Sequence, residues 1–202
     1  MKRVDNYAIQ TQSAKERFLG YDQTALIQKF QLPHDEIYFY PVMLGSTYRL
    51  DRKTGNLQRQ QGDTWVDANT HGEVLTLLDL LCDSRNDRFI AGRWKSMTAF
   101  GMQFHQNLME DRPDRLTLAI DKDPDLLHRR CAALGGTPGT GGDISYRLEF
   151  FDGLPICIQF WHSDEEFPPR MRFLWDENAN MYLKYETMWY AIGILKQRLA
   201  EG

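Results

Sequence analysis

Apolar side chains recur at helical spacing in several stretches of the chain. Candidate helices run from Val4 to Leu19, follow the potential N-cap Asp22, follow a capping box at 70–73, and begin at Pro124. The helix after the capping box is apolar on almost every side, so we expect it to be buried. A final helix is predicted by an apolar stripe made of Met181, Tyr185, Met188, Ile192, Leu195 and Leu199.

Between these helices, short segments rich in aromatic and β-branched residues alternate with turns that contain glycine or aspartate. The first series predicts a β-meander over residues 37–44, 47–50, 57–60 and 65–66. The second series predicts strands over residues 144–151, 154–161 and 171–175. The first two of these later strands are separated by Asp152-Gly153, which is a strong signal for a two-residue hairpin.

Together these elements predict one α+β domain over residues 1–202. Its antiparallel β-meander and sheet are packed by helices, and a long helix lies at the C-terminal end. Residues 85–120 have the weakest pattern. Gly101–Met109 is compatible with a helix, and Pro113 interrupts the segment after it.

Charge and length narrow the classes of function. The chain has 202 residues and a net charge of −4, and its basic residues are scattered along the sequence. Phosphate backbones and anionic membranes need concentrated basic residues, so we expect neither nucleic-acid nor membrane binding. The N-terminus lacks the apolar run of a signal peptide, and no segment approaches the roughly 20 apolar residues of a membrane span. These features favour a cytoplasmic protein.

The residue types that hold metals show no metal-binding pattern. Cys82, Cys131 and Cys157 are far apart and lie in apolar segments without a CxxC pair, so we expect buried thiols. The five histidines lack short metal-binding spacing, and the sequence has no hydrolase nucleophile motif. We therefore expect no metal site built from cysteines or histidines, and no cofactor.

The strongest candidate site is the segment from Trp161 to Pro169. Three consecutive acids, Asp164, Glu165 and Glu166, lie between a strand and the stiff sequence Phe-Pro-Pro, with His162 close by. Crowded carboxylates repel one another, so one must hold a proton or a cation must neutralise them. Magnesium prefers oxygen ligands and needs only one or two protein carboxylates. His162 is the histidine best suited to carry a proton.

Asp176 and Glu186 extend this set of candidate ligand-binding residues, which also includes Trp161. Asp176 ends the next predicted strand, and strand pairing decides whether it meets the three acids. Glu186 lies on the last helix, outside its apolar stripe. Gly193 in that helix costs about 1 kcal/mol relative to alanine, which suggests that a backbone or ligand approaches it closely.

A structural interpretation competes with the functional one. The acids can form a solvated turn held by burial of Phe167 and by the prolines, or one of them can pair with Arg170 or Arg172. The glycine-rich segment 135–143 follows a helix and precedes a strand, the reverse of the order in phosphate-binding loops. We interpret it as a helix C-cap with a mobile loop, or as a lid over a pocket.

A series of short motifs runs through the second half of the chain. It consists of Leu134-Gly135-Gly136, Gly142-Asp143, Leu154-Pro155-Ile156, Trp161 with Asp164–Pro168, Phe173-Leu174, Asp176, Tyr182-Leu183 and Glu186. Weaker matches occur at Gly45, Tyr48-Arg49-Leu50, Arg93-Trp94 and Ala99-Phe100. Over nearly its whole length, the chain resembles the uncharacterised microbial family called domain of unknown function 3786.

The resemblance implies a cytoplasmic protein of bacteria or archaea. Some relatives carry an N-terminal cysteine cluster that resembles an iron–sulfur segment. The present sequence has no such cluster, so the resemblance transfers no redox role to it. It also transfers no catalytic residue, since none is assigned in the family.

These residues support three hypotheses. The preferred one is a cytoplasmic small-ligand-binding or regulatory domain with a pocket near Trp161, the three acids and Glu186. The second is a hydrolase or transferase in which Asp164–Glu166 hold a divalent metal. The third is an interaction module, in which the final helix or the leucine-rich helix at 74–81 contacts a partner or a second copy of the chain.

Overall fold

The computed structural model describes residues 6–101 and 113–201. In these residues the α-helices are α1 (Asn6–Leu19), α2 (Gln23–Phe30), α3 (His71–Asp83), α4 (Arg115–Lys122), α5 (Pro124–Ala133) and α6 (Tyr185–Glu201). The strands are β1 (Tyr38–Phe39), β2 (Val42–Met43), β3 (Ser46–Asp51), β4 (Leu57–Gln61), β5 (Thr64–Asp67), β6 (Trp94–Ser96), β7 (Thr137–Pro138), β8 (Ile144–Phe151), β9 (Leu154–Trp161) and β10 (Arg170–Asp176). The helix start predicted at Val4 lies outside the described residues, as does the helix predicted over Gly101–Met109 apart from Gly101 itself; His105 also lies outside them.

The first sheet is the predicted β-meander. Its strands are antiparallel in the order β1-β3-β4-β5, and β2 also pairs with β3. The turn between β3 and β4 forms because the Asp51 carboxylate accepts hydrogen bonds from the backbone N–H groups of Lys53 and Thr54, at 2.8 and 2.9 Å. Gly55 completes this turn at a φ of +70°, a conformation that favours glycine.

The second sheet is antiparallel in the order β6-β10-β9-β8-β7. Asp152 and Gly153 have φ angles of 48° and 77°, as a tight two-residue hairpin requires, so this prediction is confirmed. Trp161 of β9 lies opposite Arg170 of β10, and Ile156 lies opposite Trp175. The acidic connection after β9 and Asp176 are therefore at opposite ends of this strand pair.

The helices begin where their capping residues predict. The Asp22 carboxylate accepts hydrogen bonds from the N–H groups of Thr24 and Ala25, and the Thr70 hydroxyl accepts one from the N–H of Glu73. Helix α3 packs between α1 and α6, which explains why it is apolar on nearly every side. Its fully buried residues include Leu77, Leu78, Leu80 and Leu81.

Helix α6 buries the last four of the six residues of its predicted stripe inside the chain. Met188, Ile192, Leu195 and Leu199 are buried, whereas Met181 precedes the helix in a short 3₁₀ turn. The apolar faces of α3 and α6 are thus covered by the chain itself. The interaction hypothesis therefore cannot draw on these apolar stripes, and binding to a partner or to a second copy stays a prediction.

A buried polar cluster, here called the Arg198 cluster, joins α6 to α3 and the first sheet. Arg198 donates hydrogen bonds to the Tyr48 hydroxyl at 2.6 Å and to the Glu73 carboxylate at 2.7 Å. Tyr48 donates to the same carboxylate at 3.1 Å. Burial raises the pKa of Tyr48, and the negative charge of Glu73 raises it further.

One continuous apolar core unites the two sheets and the helices, so the chain is a single α+β domain as predicted. The N–H of Leu44 also donates a hydrogen bond to the carbonyl of Phe150, at 2.9 Å, which links the β2–β3 turn to β8. The three cysteines are free and buried. Within the described ranges, no helix combines the length and apolar character that crossing a bilayer requires.

Candidate functional site

A cleft of about 830 Å³ lies beside the first half of β10. Strand β6 pairs with β10 only at Leu174, Trp175 and Asp176, and the cleft lies next to the residues before them. Its other walls are the connection between β9 and β10, the start of α4 and one side of α6. Residues from these elements include Trp161, His162, Asp114, Trp189 and Lys196.

The second sheet contributes cations and aromatic rings to the cleft from both faces of β10, because Arg172 and Phe173 are consecutive in the strand and point to opposite sides. The Arg172 guanidinium lies over the Trp161 ring, 5.5 Å from its centroid. Phe173, on the same strand as Arg172, has the Lys196 ammonium group 5.5 Å from its ring centroid. Such contacts between cations and aromatic faces are attractive and hold the charged groups against the wall.

The start of α4 forms a second charged part of the cleft. Asp114 is the N-cap of α4, and its carboxylate accepts hydrogen bonds from the backbone N–H and the hydroxyl of Thr117, both at 2.8 Å. Lys196 of α6 donates to the other oxygen of Asp114 at 2.7 Å. Burial raises the pKa of Asp114, but the hydrogen bonds from Lys196 and Thr117 outweigh this effect and lower it overall.

His162 is oriented by an aspartate that is distant in sequence. Its Nδ1 lies 3.2 Å from Oδ1 of Asp121, and its ring packs edge-on against Phe160. Ser163 donates two hydrogen bonds to Asp121, from its backbone N–H at 3.0 Å and its hydroxyl at 2.7 Å. These bonds, followed by the contact with His162, lower the pKa of Asp121, so the carboxylate is ionised at neutral pH.

This arrangement determines which nitrogen of His162 can act as a base. An ionised carboxylate only accepts hydrogen bonds, so the proton facing Asp121 is on Nδ1. In the neutral imidazole, Nε2 is then the unprotonated nitrogen. The Asp121–His162 pair therefore has the orientation that general acid–base chemistry uses.

The glycine-rich segment positions Asp143 beside His162. A Cβ atom on Gly142 would lie 2.6 Å from the carbonyl oxygen of Phe160, so only glycine allows this close approach. The Asp143 carboxylate accepts a hydrogen bond from the backbone N–H of His162 at 2.8 Å. Gln159 holds the same segment through the carbonyl of Thr140, at 2.9 Å. The segment is attached to the sheet and is not a separate lid.

Of the three consecutive acids, only Asp164 lines the cleft. Its Oδ1 accepts hydrogen bonds from the backbone N–H groups of Glu166 and Phe167, at 2.8 and 2.7 Å, which shapes the turn. Glu165 and Glu166 are exposed and lie outside the cleft lining. Phe167 is 65% exposed, so the expected burial of this residue is wrong.

Asp176 and Glu186 lie away from the cleft. The Asp176 side chain is buried, and its carboxylate accepts hydrogen bonds from the backbone N–H groups of Ala91, Gly92 and Asn178. It therefore holds the segment before β6 onto the end of β10. Glu186 is exposed on the first turn of α6.

Gly193 has no close neighbour among residues 6–101 and 113–201. In the described part of the chain, no atom lies within 4 Å of the position that its Cβ would occupy. The cost of glycine in this helix therefore has no packing explanation in these residues.

Sequence reasoning places Trp161, His162 and Asp164 together, and the cleft contains all three. It missed Asp114 and Lys196, which are 82 residues apart, and Asp121, which is 41 residues from His162. The capping position of Asp114 before α4 is a local signal that a sequence can carry. Asp121 has no such signal, because its partners, His162 and Ser163, lie in the connection after β9, far away in the sequence.

The geometry offers no metal site in the described residues. Across 6–101 and 113–201, no three His, Cys, Asp or Glu side chains are grouped so that they could hold a metal ion. Asp164 uses one carboxylate oxygen for its own turn, and the two glutamates beside it face solvent. The metal-dependent hypothesis therefore lacks the clustered carboxylates on which it was based.

The sequence matches the model of the family described as domain of unknown function (DUF3786) over residues 22–198. The chain belongs to this family. The resemblance inferred from the short motifs is thereby confirmed. No curated protein and no solved structure matches the chain.

The DUF3786 match includes every described residue that lines the cleft, whereas helix α1 precedes it. The cleft thus belongs to the part of the chain that defines the DUF3786 family. The family description names no activity, so it assigns no catalytic residue. The function has to be inferred from the side chains of the cleft.

Proposed function

We propose that this DUF3786 chain is a small-ligand-binding domain whose cleft takes an organic anion with an aromatic or apolar body. The observation that carries the proposal is the Arg172 guanidinium, which lies against Trp161 in the cleft. Within the described ranges it has no carboxylate partner at ion-pairing distance. A guanidinium group in this setting suits a carboxylate, sulfonate or phosphate group of a ligand.

The charge distribution of the cleft supports an anionic ligand. Each acid that lines the cleft already accepts hydrogen bonds from the protein: Asp114 from Lys196, Asp143 from the N–H of His162, and Asp164 from its own turn. Arg172 has only the Trp161 ring in the described residues. The lining carries three basic residues, Arg170, Arg172 and Lys196, and three carboxylates, so the support for an anion comes from the position of Arg172 and not from an excess of positive charge.

The apolar part of the lining supports an aromatic or aliphatic ligand body. Trp161, Trp189, Phe167 and Phe173 contribute aromatic surface, and Met171 contributes a flexible apolar side chain. Pockets that combine such walls with a few polar anchors are typical of small-molecule sites. The volume of about 830 Å³ is in the range that such ligands occupy.

We also place the protein in the cytoplasm. Cys82, Cys131 and Cys157 are all free thiols, and cytoplasmic proteins rarely contain disulfides. Burial raises the pKa of Cys82 and of Cys131 to about 12, so these thiols stay protonated and unreactive.

The proposal can be tested with anilinonaphthalene sulfonate, an aromatic anion whose fluorescence rises in apolar surroundings. We expect saturable binding to the wild-type protein. Arg172→Gln should weaken it roughly tenfold or more, since a hydrogen bond to a charged group contributes about 1.5–3 kcal/mol. Arg93→Gln is the matched control, because Arg93 pairs with Glu177 outside the cleft.

A second probe separates anion recognition from apolar binding. Phenylnaphthylamine has a similar aromatic body without the sulfonate group, so its affinity should be the same in wild type and Arg172→Gln. Equal affinity of the two proteins for the sulfonate would overturn the proposal. Native mass spectrometry of the purified protein would then identify any molecule that co-purifies with the chain.

The Asp121–His162 pair favours a second candidate function, an acid–base enzyme that acts on the bound anion. In this mechanism His162 Nε2 exchanges a proton with the ligand, and Asp121 fixes the tautomer. Diethyl pyrocarbonate, which modifies unprotonated imidazole nitrogens, gives a direct test. We expect modification of His162 to be slowed by anilinonaphthalene sulfonate, while modification of exposed His34 and His128 continues unchanged. Unprotected modification of His162 would contradict this function.

A further inference from the structure

A second cavity, of about 940 Å³, lies between α2, the end of α3 and the segment before α6. Its lining contains four basic side chains from separate parts of the sequence: Lys29, Arg85, Arg88 and Lys184. Among the lining residues in the described chain, Asp83 is the one acid. The fold thus brings together basic residues that are scattered along the chain.

Asp83 cannot neutralise this group of cations. Its Oδ2 already lies 2.6 Å from Lys184 Nζ and 2.7 Å from Arg17 Nη1. Arg17 also pairs with Asp79, whose other oxygen accepts a hydrogen bond from Thr187. The carboxylates at this end of α3 are therefore occupied by Arg17, Lys184 and Thr187.

Lys29 is the cation of this lining that has no ion-paired carboxylate in the described residues; Asp83 and Asp152 influence it from a greater distance. In the described residues no carboxylate lies within 4.0 Å of its ammonium group, which donates a hydrogen bond to the carbonyl of Ser84. Its Nζ lies 5.0 Å from the Phe30 ring centroid, and the Arg88 guanidinium lies 4.6 Å from the same centroid. Burial lowers the pKa of Lys29, and the positive charge of Arg88 lowers it further.

The neighbouring Arg85 and Arg88 each pair with an aspartate but can still donate hydrogen bonds to a ligand. Arg85 pairs with Asp87, and both side chains are more than half exposed, so this ion pair contributes little. Arg88 pairs with Asp152 and also lies over the Tyr182 ring, 5.7 Å from its centroid. A planar guanidinium has five N–H donors, so each arginine retains donors for a further acceptor.

We propose that this cavity is a second ligand site, which binds a compact, multiply charged anion such as a diphosphate or a phosphate ester. Lys29 would be its central contact, with Arg85, Arg88 and Lys184 around it. The hydrogen bond from Lys29 to the Ser84 carbonyl caps the end of α3, but it uses only one of the three N–H donors of the Lys29 ammonium group. A bound anion would satisfy the remaining donors and give Lys29 an ion-pair partner.

The probe for this site is inorganic pyrophosphate, measured by calorimetry at constant ionic strength. We expect one binding site in the wild-type protein and a loss of affinity of roughly tenfold or more in Lys29→Gln. Arg85→Gln should weaken binding in the same direction. It removes an exposed side chain and should leave folding intact. Lys53→Gln is the control, because Lys53 is an exposed lysine in the turn between β3 and β4.

Each outcome distinguishes this site from the cleft. Unchanged pyrophosphate affinity in Arg172→Gln supports a separate site, whereas its loss in that variant would overturn the proposal. Absence of binding to the wild type, or equal affinity in Arg85→Gln and wild type, would also overturn it. If Lys29→Gln fails to fold, Arg85→Gln decides the result. Weaker binding of citrate than of pyrophosphate at equal concentration supports a phosphate ligand, whereas equal or tighter binding of citrate would overturn that choice of ligand.

Discussion

The Arg198 cluster and the cleft both involve α6, yet they treat charge in different ways. In the cluster, the terminal nitrogens of Arg198 donate to Tyr48, Glu73 and Glu201, all supplied by the protein. In the cleft, Arg172 lies on an aromatic ring with no carboxylate partner in the described residues. A charged side chain is structural where the chain supplies its partners and is available for binding where a partner is missing.

The largest effect should come from breaking the buried cluster. Glu73→Gln removes the buried carboxylate that pairs with Arg198, which is 5% exposed, and leaves it with the more exposed Glu201, so we expect a loss of about 3 kcal/mol in the free energy of unfolding. Urea denaturation measures this loss. Glu165→Gln, in the exposed loop, is the control and should change stability by less than about 0.5 kcal/mol. Similar values for the two variants would show that the cluster is not a stabilising element.

Asp176 tests whether a sequence-predicted site residue is structural. Asp176→Asn removes a charge that accepts three backbone hydrogen bonds, so we expect a loss of about 2 kcal/mol in stability. The affinity of the Asp176→Asn variant for anilinonaphthalene sulfonate should equal that of the wild type, because Asp176 lies outside the cleft. Weaker binding with unchanged stability would instead return Asp176 to the ligand-binding set.

Asp114 lies at the boundary between the two behaviours, since it lines the cleft and is paired inside the protein. Its pKa is lower in the folded state than its ordinary value of 3.8. The carboxylate therefore stabilises the fold above that value, and this contribution is lost as the pH falls through the folded-state pKa. We expect Asp114→Asn to be less stable than wild type at about pH 7, and the difference in stability between the two proteins to be smaller at about pH 3. Urea denaturation at both pH values checks this, and a larger difference in acid would contradict it.

The smallest effect is expected for the exposed glutamates. Glu166→Gln and Glu186→Gln should each change the affinity for anilinonaphthalene sulfonate by less than about twofold, because neither residue lines the cleft. Fluorescence titration beside Arg172→Gln makes the comparison direct. A loss in either glutamate variant as large as that in Arg172→Gln would show that the ligand contacts the acidic loop or the start of α6.

Local patterns in the sequence predicted most of the fold. The apolar periods, the caps at Asp22 and Thr70 and the hairpin at Asp152-Gly153 each depend on residues within a few positions of one another. Such patterns determine where helices, strands and turns form. The α+β class and the burial of α3 result from them.

The sequence predicted only part of the site, because only the segment around Trp161, His162 and Asp164 is continuous in the sequence. Trp161, His162 and Asp164 are neighbours in the sequence and meet in the cleft. The same segment suggested a role for Glu165 and Glu166, which the structure places outside the cleft lining. A cluster of acids in the sequence does not indicate the direction of each side chain, so the sequence could not separate them from Asp164. Strand pairing then separated Asp176 from the acids, because β9 and β10 run antiparallel.

The sequence by itself determined the elements of this protein, its family and the segment that contains part of the cleft. Only the tertiary structure decided which charges meet. Asp121 reaches His162, and Lys29 approaches Arg88, because packing of the apolar faces brings distant elements together. Hydrophobic packing is largely non-directional and leaves no local pattern that names the polar neighbours it creates. For this reason basic residues that are scattered in the sequence form a positively charged cavity in the fold.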